Sequence, residues 1–535
     1  MPDSRRSSVR SLLIVLASGL VLLILLALGL AWVSSGFQDI QGWGSFLGVL
    51  SLGAALLGGG WWALKSEAPP RWLGVLVLSA ALLRLAAGVF WYISLPQFGY
   101  NSPPEVSGYV MADASDRDQT AWQLASSEKP LYKAFQGSFR RVDQYGGLLY
   151  MSALTYRYLG GETHQPLVMV VITASFSALG VLFLWAFAKR AWDERIAMLA
   201  AWILALFPEA VLLGSSQMRE AILMTLTITA FYGLARYWRD RSWVGLVWVV
   251  IALLLSVPFS PPTTALLMLM LVIQALFLGR SLFQGEILSS RRFWMVFIGL
   301  AALILVGLLL SWGRFAPDGV SNPLALISWW VRKSADWQAY LTERASGWMQ
   351  KIFDSTPEWT HLPMLVAYGV VQPFLPAALI DITGAAIWQA IAIWRALGWM
   401  LLLPMLLYAP VRAFSKRGDG FSRGVSLIVW LAILIASYRG GGDMWDNPRY
   451  RAVFVGLQVA LVAWAWVEHR REGDPWLRRV LVGLILVLIW FIPWYLERYI
   501  YLPWPVQDPF KVLALGIITA VLYWIWDWYV EKRKR

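Results

Sequence analysis

Apolar runs long enough to cross a bilayer recur along this chain, divided by short charged turns and by two long polar stretches. A helix needs about 20 apolar residues to span the hydrocarbon core. The pattern predicts spans at Ser11–Val33, Trp43–Leu64, Trp72–Leu95, Pro166–Phe187, Ile196–Leu213, Glu220–Tyr237, Trp243–Val257, Thr263–Leu278, Phe293–Trp312, Ile387–Tyr408, Val425–Ala436, Val453–Val467, Val480–Ile500 and Val512–Trp528. None of these runs has the two-residue alternation of a membrane barrel strand, so helices are the remaining way to satisfy the backbone in lipid. The expected fold class is an all-α polytopic membrane protein with about 14 transmembrane helices.

The polar segments organise the rest. "KRAWDER", "RYWRDRSW", "GRSLFQGEILSSRR" and "VRAFSKRGDGFSR" are basic, and so are both ends, "MPDSRRSSVR" and "EKRKR". Basic short loops stay in the cytoplasm, which puts both termini there and the two long loops outside. The run from Ser11 reads as a retained anchor. Residues 1–70 form a first pair of spans. Residues 71–312 form a core carrying the first outer loop, 96–165. Residues 313–383 form a second outer loop, and 384–535 hold the last spans. Within the second loop, Leu362–Ile380 is apolar but holds Pro363, Pro373 and Pro376. A full crossing there would carry "VRAFSKRGDGFSR" outside, so the segment reads as interfacial or re-entrant. Both loops hold amphipathic patterns. Trp330, Trp337, Leu341, Trp348 and Ile352 mark one helical face suited to the interface plane. Tyr145, Leu148, Leu149, Ser152, Tyr156 and Leu159 mark another, stopped by Gly160 and Gly161.

Composition supports the class and narrows the chemistry. The 535 residues are 59% hydrophobic and 14% charged, with a mean hydropathy of +0.58; soluble domains carry about 25% charge. The net charge of +13 sits in the short loops, which is membrane orientation rather than a nucleic-acid surface. Cysteine is absent, excluding disulfides, thiolate catalysis and Cys-held metals. The three histidines, His164, His361 and His469, are far apart and make no metal-ligand pair.

One stretch concentrates candidate chemistry. "MADASDRDQTAWQLA", Met111–Ala125, places Asp113, Asp116 and Asp118 within six residues at the start of the first outer loop. Such acids serve as general bases or as the solvated start of a helix. The same outer segments hold Arg219, Arg439, Arg449 and Arg451 at span ends, and Lys133, Arg140 and Arg141 within the loop. Guanidinium forks match phosphate oxygens, whereas snorkelling is their ordinary fate at an interface. Glu209, Glu220 and Arg84 lie in or beside spans, where a charge is costly. Tyr145 and Tyr150 either stack on a sugar or pack.

The spacing of Asp113-Ala114, Ala121 and Leu124 resembles the "DAxxYxxxAxxL" opening of the first outer loop in GT-C glycosyltransferases, with Arg117 where the family has tyrosine. These include protein-mannosyltransferase-like and aminoarabinose-transferase-like enzymes. "YGGLLYMSALTYRYLGG", the pair of spans after "RAWDER", and "DNPRYRAVFVGLQVALVAWAW" follow in the order that the family shows, without the prolines downstream of its "RYR". The similarity covers Trp72–Val467 and leaves the first two spans as an addition.

The resemblance implies a cell-envelope enzyme that takes a sugar from a polyprenyl-phosphate donor at the outer face, by an inverting hexosyl or pentosyl transfer. Its partners would be that lipid donor, membrane lipid, and a glycan, lipid or protein acceptor. Asp113 is then the first choice for the base, ahead of Asp116 and Asp118. Some relatives also bind a divalent metal, magnesium or manganese. Arg449, Arg451, Arg439, Arg219, Arg140, Arg141 and Lys133 would serve the donor phosphate, and Tyr145, Tyr150 and Glu220 the substrates. The competing readings are a lipid-linked glycan polymerase or ligase, and a flippase or transporter for a lipid-linked sugar.

Overall fold

The computed structural model describes residues 2–139, 141–279, 347–374, 377–380, 383–416, 418–441, 444–500 and 503–534, with scattered positions between 320 and 340 and side chains from residue 17 onward. Among the described residues the regular structure is all helical. The helices are α1 (Pro2–Ser34), α2 (Trp43–Ala63), α3 (Arg71–Phe98), α4 (Pro103–Val106), α5 (Ala112–Ala125), α6 (Gly147–Leu159), α7 (Leu167–Ala191), α8 (Glu194–Leu206), α9 (Pro208–Gly214) and α10 (Arg219–Asp240). They continue with α11 (Trp243–Ser256), α12 (Pro261–Leu278), α13 (Gly347–Asp354), α14 (Glu358–Val371), α15 (Ala386–Ala413), α16 (Gly420–Arg439), α17 (Arg449–Ala452), α18 (Val455–Glu472), α19 (Trp476–Ile500) and α20 (Pro509–Lys534).

Nine of the described helices are long and apolar enough to cross a membrane, or ten if the bent pair α8–α9 is one span. The expectation was about 14. The span at Phe293–Trp312 lies outside the described residues. Two others, α10 and α18, are helices of 22 and 18 residues whose ends carry too much charge for that test, and α11 has only 14 residues. Physics allows this: α10 and α18 are buried along most of their length, and a helix sheathed by other helices need not be as apolar as one facing lipid.

The core forms around α7, 94% of whose most apolar stretch is buried. Helices α2, α3, α8 and α10 pack on it, α18 packs on α8 and α15, and α16 on α12 and α14. The α19–α20 hairpin leans on α15, while α1 leans on α2. Helix starts are set by local capping: Asp193 accepts from the amides of Arg195 and Ile196, Ser260 precedes Pro261, and Asp419 accepts from the Ser422 amide. Gly473, in the left-handed region, ends α18.

Pro208 removes one backbone donor, and the chain bends by 55° between α8 and α9. This explains the costly Arg84. Its guanidinium is fully buried and donates to the carbonyls of Leu204 (3.1 Å), Ala205 (3.1 Å) and Ala80 (3.0 Å), and to Ser177 Oγ (2.7 Å). The cation therefore staples the broken helix through backbone groups that the proline has left over. Helix α14, at 14 residues, extends about 21 Å and ends before Pro373, within the segment expected to be interfacial or re-entrant. The predicted interfacial face starting at Trp330 lies mostly outside the described residues; its last position, Ile352, is buried on α13 with Met349 and Phe353.

The helices leave two charged ends. At one, Arg190 binds Glu67 (2.6 Å) and Asp240 (2.6 Å), Arg412 binds Glu468 (2.9 Å) and Glu472 (2.7 Å), and Arg471 binds Asp193 (2.5 Å) and Glu468 (2.9 Å). At the other stand α5, α6, the starts of α7 and α10, and the α16–α18 connection.

Candidate active site

Helix α5 starts after an extended Met111. Ala114, Ala121 and Leu124 are buried on its inner face, with Tyr109, Val110 and Met111 packed ahead of it. This packing fixes the rotation of the helix and sorts its three carboxylates. Asp113 lies in the first turn, where the helix dipole favours a negative charge. Asp116 is exposed, and its carbonyl accepts from Thr120 (2.7 Å). Asp118 lies five residues beyond Asp113, about 140° around the helix, and points inward.

The two outer acids of the trio meet opposite surroundings. The Asp118 side chain is 1% exposed. Its carboxylate accepts from Tyr109 Oη (2.7 Å) and Tyr156 Oη (2.7 and 2.8 Å), and His164 Nε2 lies 2.9 Å away. His164 stacks on Trp122. Burial, then the neighbouring Asp118 charge, pushes both tyrosines far above their ordinary range. These hydroxyls remain donors, so Asp118 ties α5, α6 and the segment before α7 together.

Asp113, by contrast, has a side chain 53% exposed, and its Oδ2 accepts from Arg449 Nη1 at 2.8 Å. Burial pushes its carboxyl up, but the guanidinium groups of Arg449, Arg117 and Arg219 outweigh that and hold it below the usual carboxylate range. Arg449 begins α17 and also lies 3.3 Å from Asp446. Arg117 sits one turn after Asp113 on the same face of α5. It is 5% exposed, and among the described residues its Nη1 reaches only the Met218 sulfur, at 4.0 Å. Burial lowers its affinity for the proton; Asp143, Glu220 and Asp113 offset part of that, while Arg219 adds to it. Arg219 heads α10, 4.0 Å from Asp143, 3.9 Å from Glu220 and over the Tyr145 ring. Glu220 is buried, with an Oε2 that meets no hydrogen-bond donor among the described residues.

The remaining candidates divide between this cluster and the scaffold. Arg439 lies over the Tyr450 ring, which Arg449 also approaches. Tyr145 stands beneath Arg219, and its amide donates to Asp143. Arg451 is turned away: it stacks over Trp399 at 3.6 Å and donates to the carbonyls of Gly369 (2.7 Å) and Gln372. Tyr150 packs on Phe135. Lys133 and Arg141 lie between α5 and α6 and are not among the charges acting most strongly on Asp113. Arg140 lies outside the described residues. Glu209 pairs with Arg395 (2.7 Å), which also reaches the Trp445 carbonyl.

Sequence reading passed over Arg117, noted there only as a departure from a motif, and over Tyr109 and His164. The four-residue step from Asp113 to Arg117 could have flagged the first. Nothing local signals that His164 reaches Asp118. For a divalent metal the residues do not fit: among the described residues no group of three His, Asp or Glu could hold an ion, and the Asp113 carboxylate faces guanidinium. A small pocket beside Ala114, lined also by Trp91, Tyr109 and Ser215, measures about 20 Å³ and does not include Asp113 in its lining.

The chain matches no protein-family model and no curated protein. Among solved structures it is similar to the oligosaccharyltransferase of Archaeoglobus fulgidus. The apo form is 16% identical, with a TM-score of 0.43 over 85% of this chain and 56% of that one. The complex with Zn and sulfate is 14% identical, with a TM-score of 0.39 over 83% and 53%. The complex with an inhibitory peptide and a dolichol-phosphate is 14% identical, with a TM-score of 0.36 over 85% and 56%. The chain thus spans about half the length of the proteins it matches. A likeness this distant assigns no residue, ligand or reaction to this chain.

Proposed function

We propose that the chain is a membrane glycosyltransferase of the GT-C kind, moving a sugar from a polyprenyl-phosphate donor to a hydroxyl acceptor at the outer face. The acceptor oxygen attacks the anomeric carbon, and its proton passes to the Asp113 carboxylate. The bond from that carbon to the phosphate oxygen breaks, and the lipid phosphate leaves with the electron pair. Attack opposite the leaving group inverts the anomeric centre. Arg449 and Arg219 supply positive charge where the phosphate gains its own, and Tyr145 lines the path beneath Arg219. Phosphate leaves readily, so no general acid is required. In this reading Asp118 and Arg451 hold the scaffold.

The observation that carries the proposal is a half-exposed carboxylate at a helix start, faced by three guanidinium groups beside the ends of apolar helices. Its placement outside rests on charge: the opposite end carries Arg190, Arg239, Arg412, Arg423 and Arg471, as cytoplasmic ends do. A lipid-borne donor places its phosphate at the interface, where these arginines stand.

The test is reconstitution in liposomes with labelled polyprenyl-phosphate sugars and a panel of hydroxyl acceptors. Label appearing in an acceptor supports the proposal. Label that crosses the bilayer still attached to its lipid, with no transfer, makes the protein a transporter instead.

A further inference from the structure

Asp113 bonds to the same group that the proposed donor needs. The Arg449 fork gives Nη1 to Asp113 (2.8 Å) and approaches Asp446 with Nη2 (3.3 Å), while its Nε meets no acceptor among the described residues. A carboxylate held this way has a lone pair tied up and makes a poor proton acceptor. A phosphate offers the fork a bidentate partner with more charge.

We propose that the Asp113–Arg449 ion pair is a latch opened by the phosphate of the lipid donor, so that the base is released only when the donor is seated. The inference rests on the function proposed above.

Three features favour a latch over a fixed structural bridge. The Asp113 side chain is half exposed while that of Arg449 is only 12% exposed, so an incoming anion can reach the pair from the Asp113 side and compete for the fork. Arg449 keeps Asp446 as a second tether when Asp113 lets go. Arg117 and Arg219 stay beside Asp113 from α5 and α10 and hold its carboxyl down before the phosphate arrives, while Glu220 and Asp143 temper both. Loss of the Arg449 contact and arrival of a negative charge both raise the basicity of Asp113. Donor therefore binds before acceptor, and an acceptor arriving first meets a carboxylate already engaged.

The test measures binding of farnesyl monophosphate, which carries no sugar, to the full-length protein in lipid nanodiscs at about pH 5. Calorimetry in two buffers of different ionisation enthalpy also reads proton uptake. Asp113→Asn removes the competitor for Arg449, so it should bind the phosphate about two- to fivefold more tightly, in keeping with the loss of one part-exposed pair. Wild type should take up more protons per ligand than this variant, the phosphate's own titration being common to both. Arg449→Lys, which keeps the charge but not the fork, should weaken binding and abolish the excess uptake. Phosphate that binds wild type and Asp113→Asn equally, with equal uptake, overturns the latch and leaves the phosphate site standing. Absence of binding to either protein overturns the phosphate site itself.

Discussion

The two charged ends of the bundle use the same residues for different purposes. At the basic end, Arg190, Arg412 and Arg471 each meet two carboxylates at 2.5–2.9 Å. At the other end, Arg449 holds Asp113 at 2.8 Å, but Arg219 stands 3.9–4.0 Å from its acids, and among the described residues the Arg117 guanidinium donates to a thioether. Buried cations are expensive unless fully hydrogen-bonded. One end comes closer to that requirement, each of the three cations holding two carboxylates, although Arg412 Nε meets no acceptor among the described residues. The other leaves it partly open, as a surface that must accept an anion would. The contrast recurs within α5, where Asp118 is saturated and Asp113 is half free.

That contrast can be broken from either side. Asp113→Asn should lower kcat for sugar transfer by about 10³-fold, within the range of general-base catalysis, while the melting temperature moves by less than about 2 °C. Asp118→Asn should do the reverse. Tyr109, Tyr156 and His164 lose their shared acceptor, at a cost of about 2–3 kcal/mol, visible as a lower melting temperature in detergent with kcat of the folded fraction nearly kept. At the basic end, Arg190→Gln leaves the buried Glu67 carboxylate with Tyr232 and Arg236 among the described residues. It should destabilise by about 2 kcal/mol and leave the KM for donor unchanged. Arg219→Gln should raise that KM by about tenfold with little change in melting. The smallest effect is on pH. The Asp113 carboxyl is depressed, so its pairing stabilises the fold above the unfolded value near 3.9 and is lost as pH falls through the folded value, below 3.8. The slight thermal advantage of wild type over Asp113→Asn at pH 5 should shrink as pH falls below 3.8.

Much of the fold is legible in the chain because hydrophobic runs and lipid impose one solution. Outside Phe293–Trp312 the predicted spans fall on helices, except that Ile196–Leu213 is split by Pro208 into α8 and α9, and Gly160 ends α6 as read. What the pattern hides is context. Glu220 and Arg219 at the head of α10, and the charged tail of α18, look marginal by hydropathy because sequence does not show which helices will be sheathed. Arg84 has no visible charged partner, since its acceptors are a serine hydroxyl and backbone carbonyls, two of them about 120 residues away beside Pro208. In the site, the acidic stretch stands out, but its division is geometric. Asp113 and Asp118 are chemically equivalent in the sequence, and only the inward packing of Ala114, Ala121 and Leu124 turns one to solvent and the other to Tyr109, Tyr156 and His164. Arg449 meets Asp113 across 336 residues, a pairing that no local spacing encodes.

The central claim is that Asp113 takes the proton while Asp118 holds the scaffold. Single-turnover transfer of a labelled sugar, measured for wild type, Asp113→Asn and Asp118→Asn at equal amounts of folded protein, tests it most directly. The account predicts loss of transfer with Asp113→Asn and a nearly normal rate with Asp118→Asn. A normal rate with Asp113→Asn, or loss confined to Asp118→Asn, would contradict it.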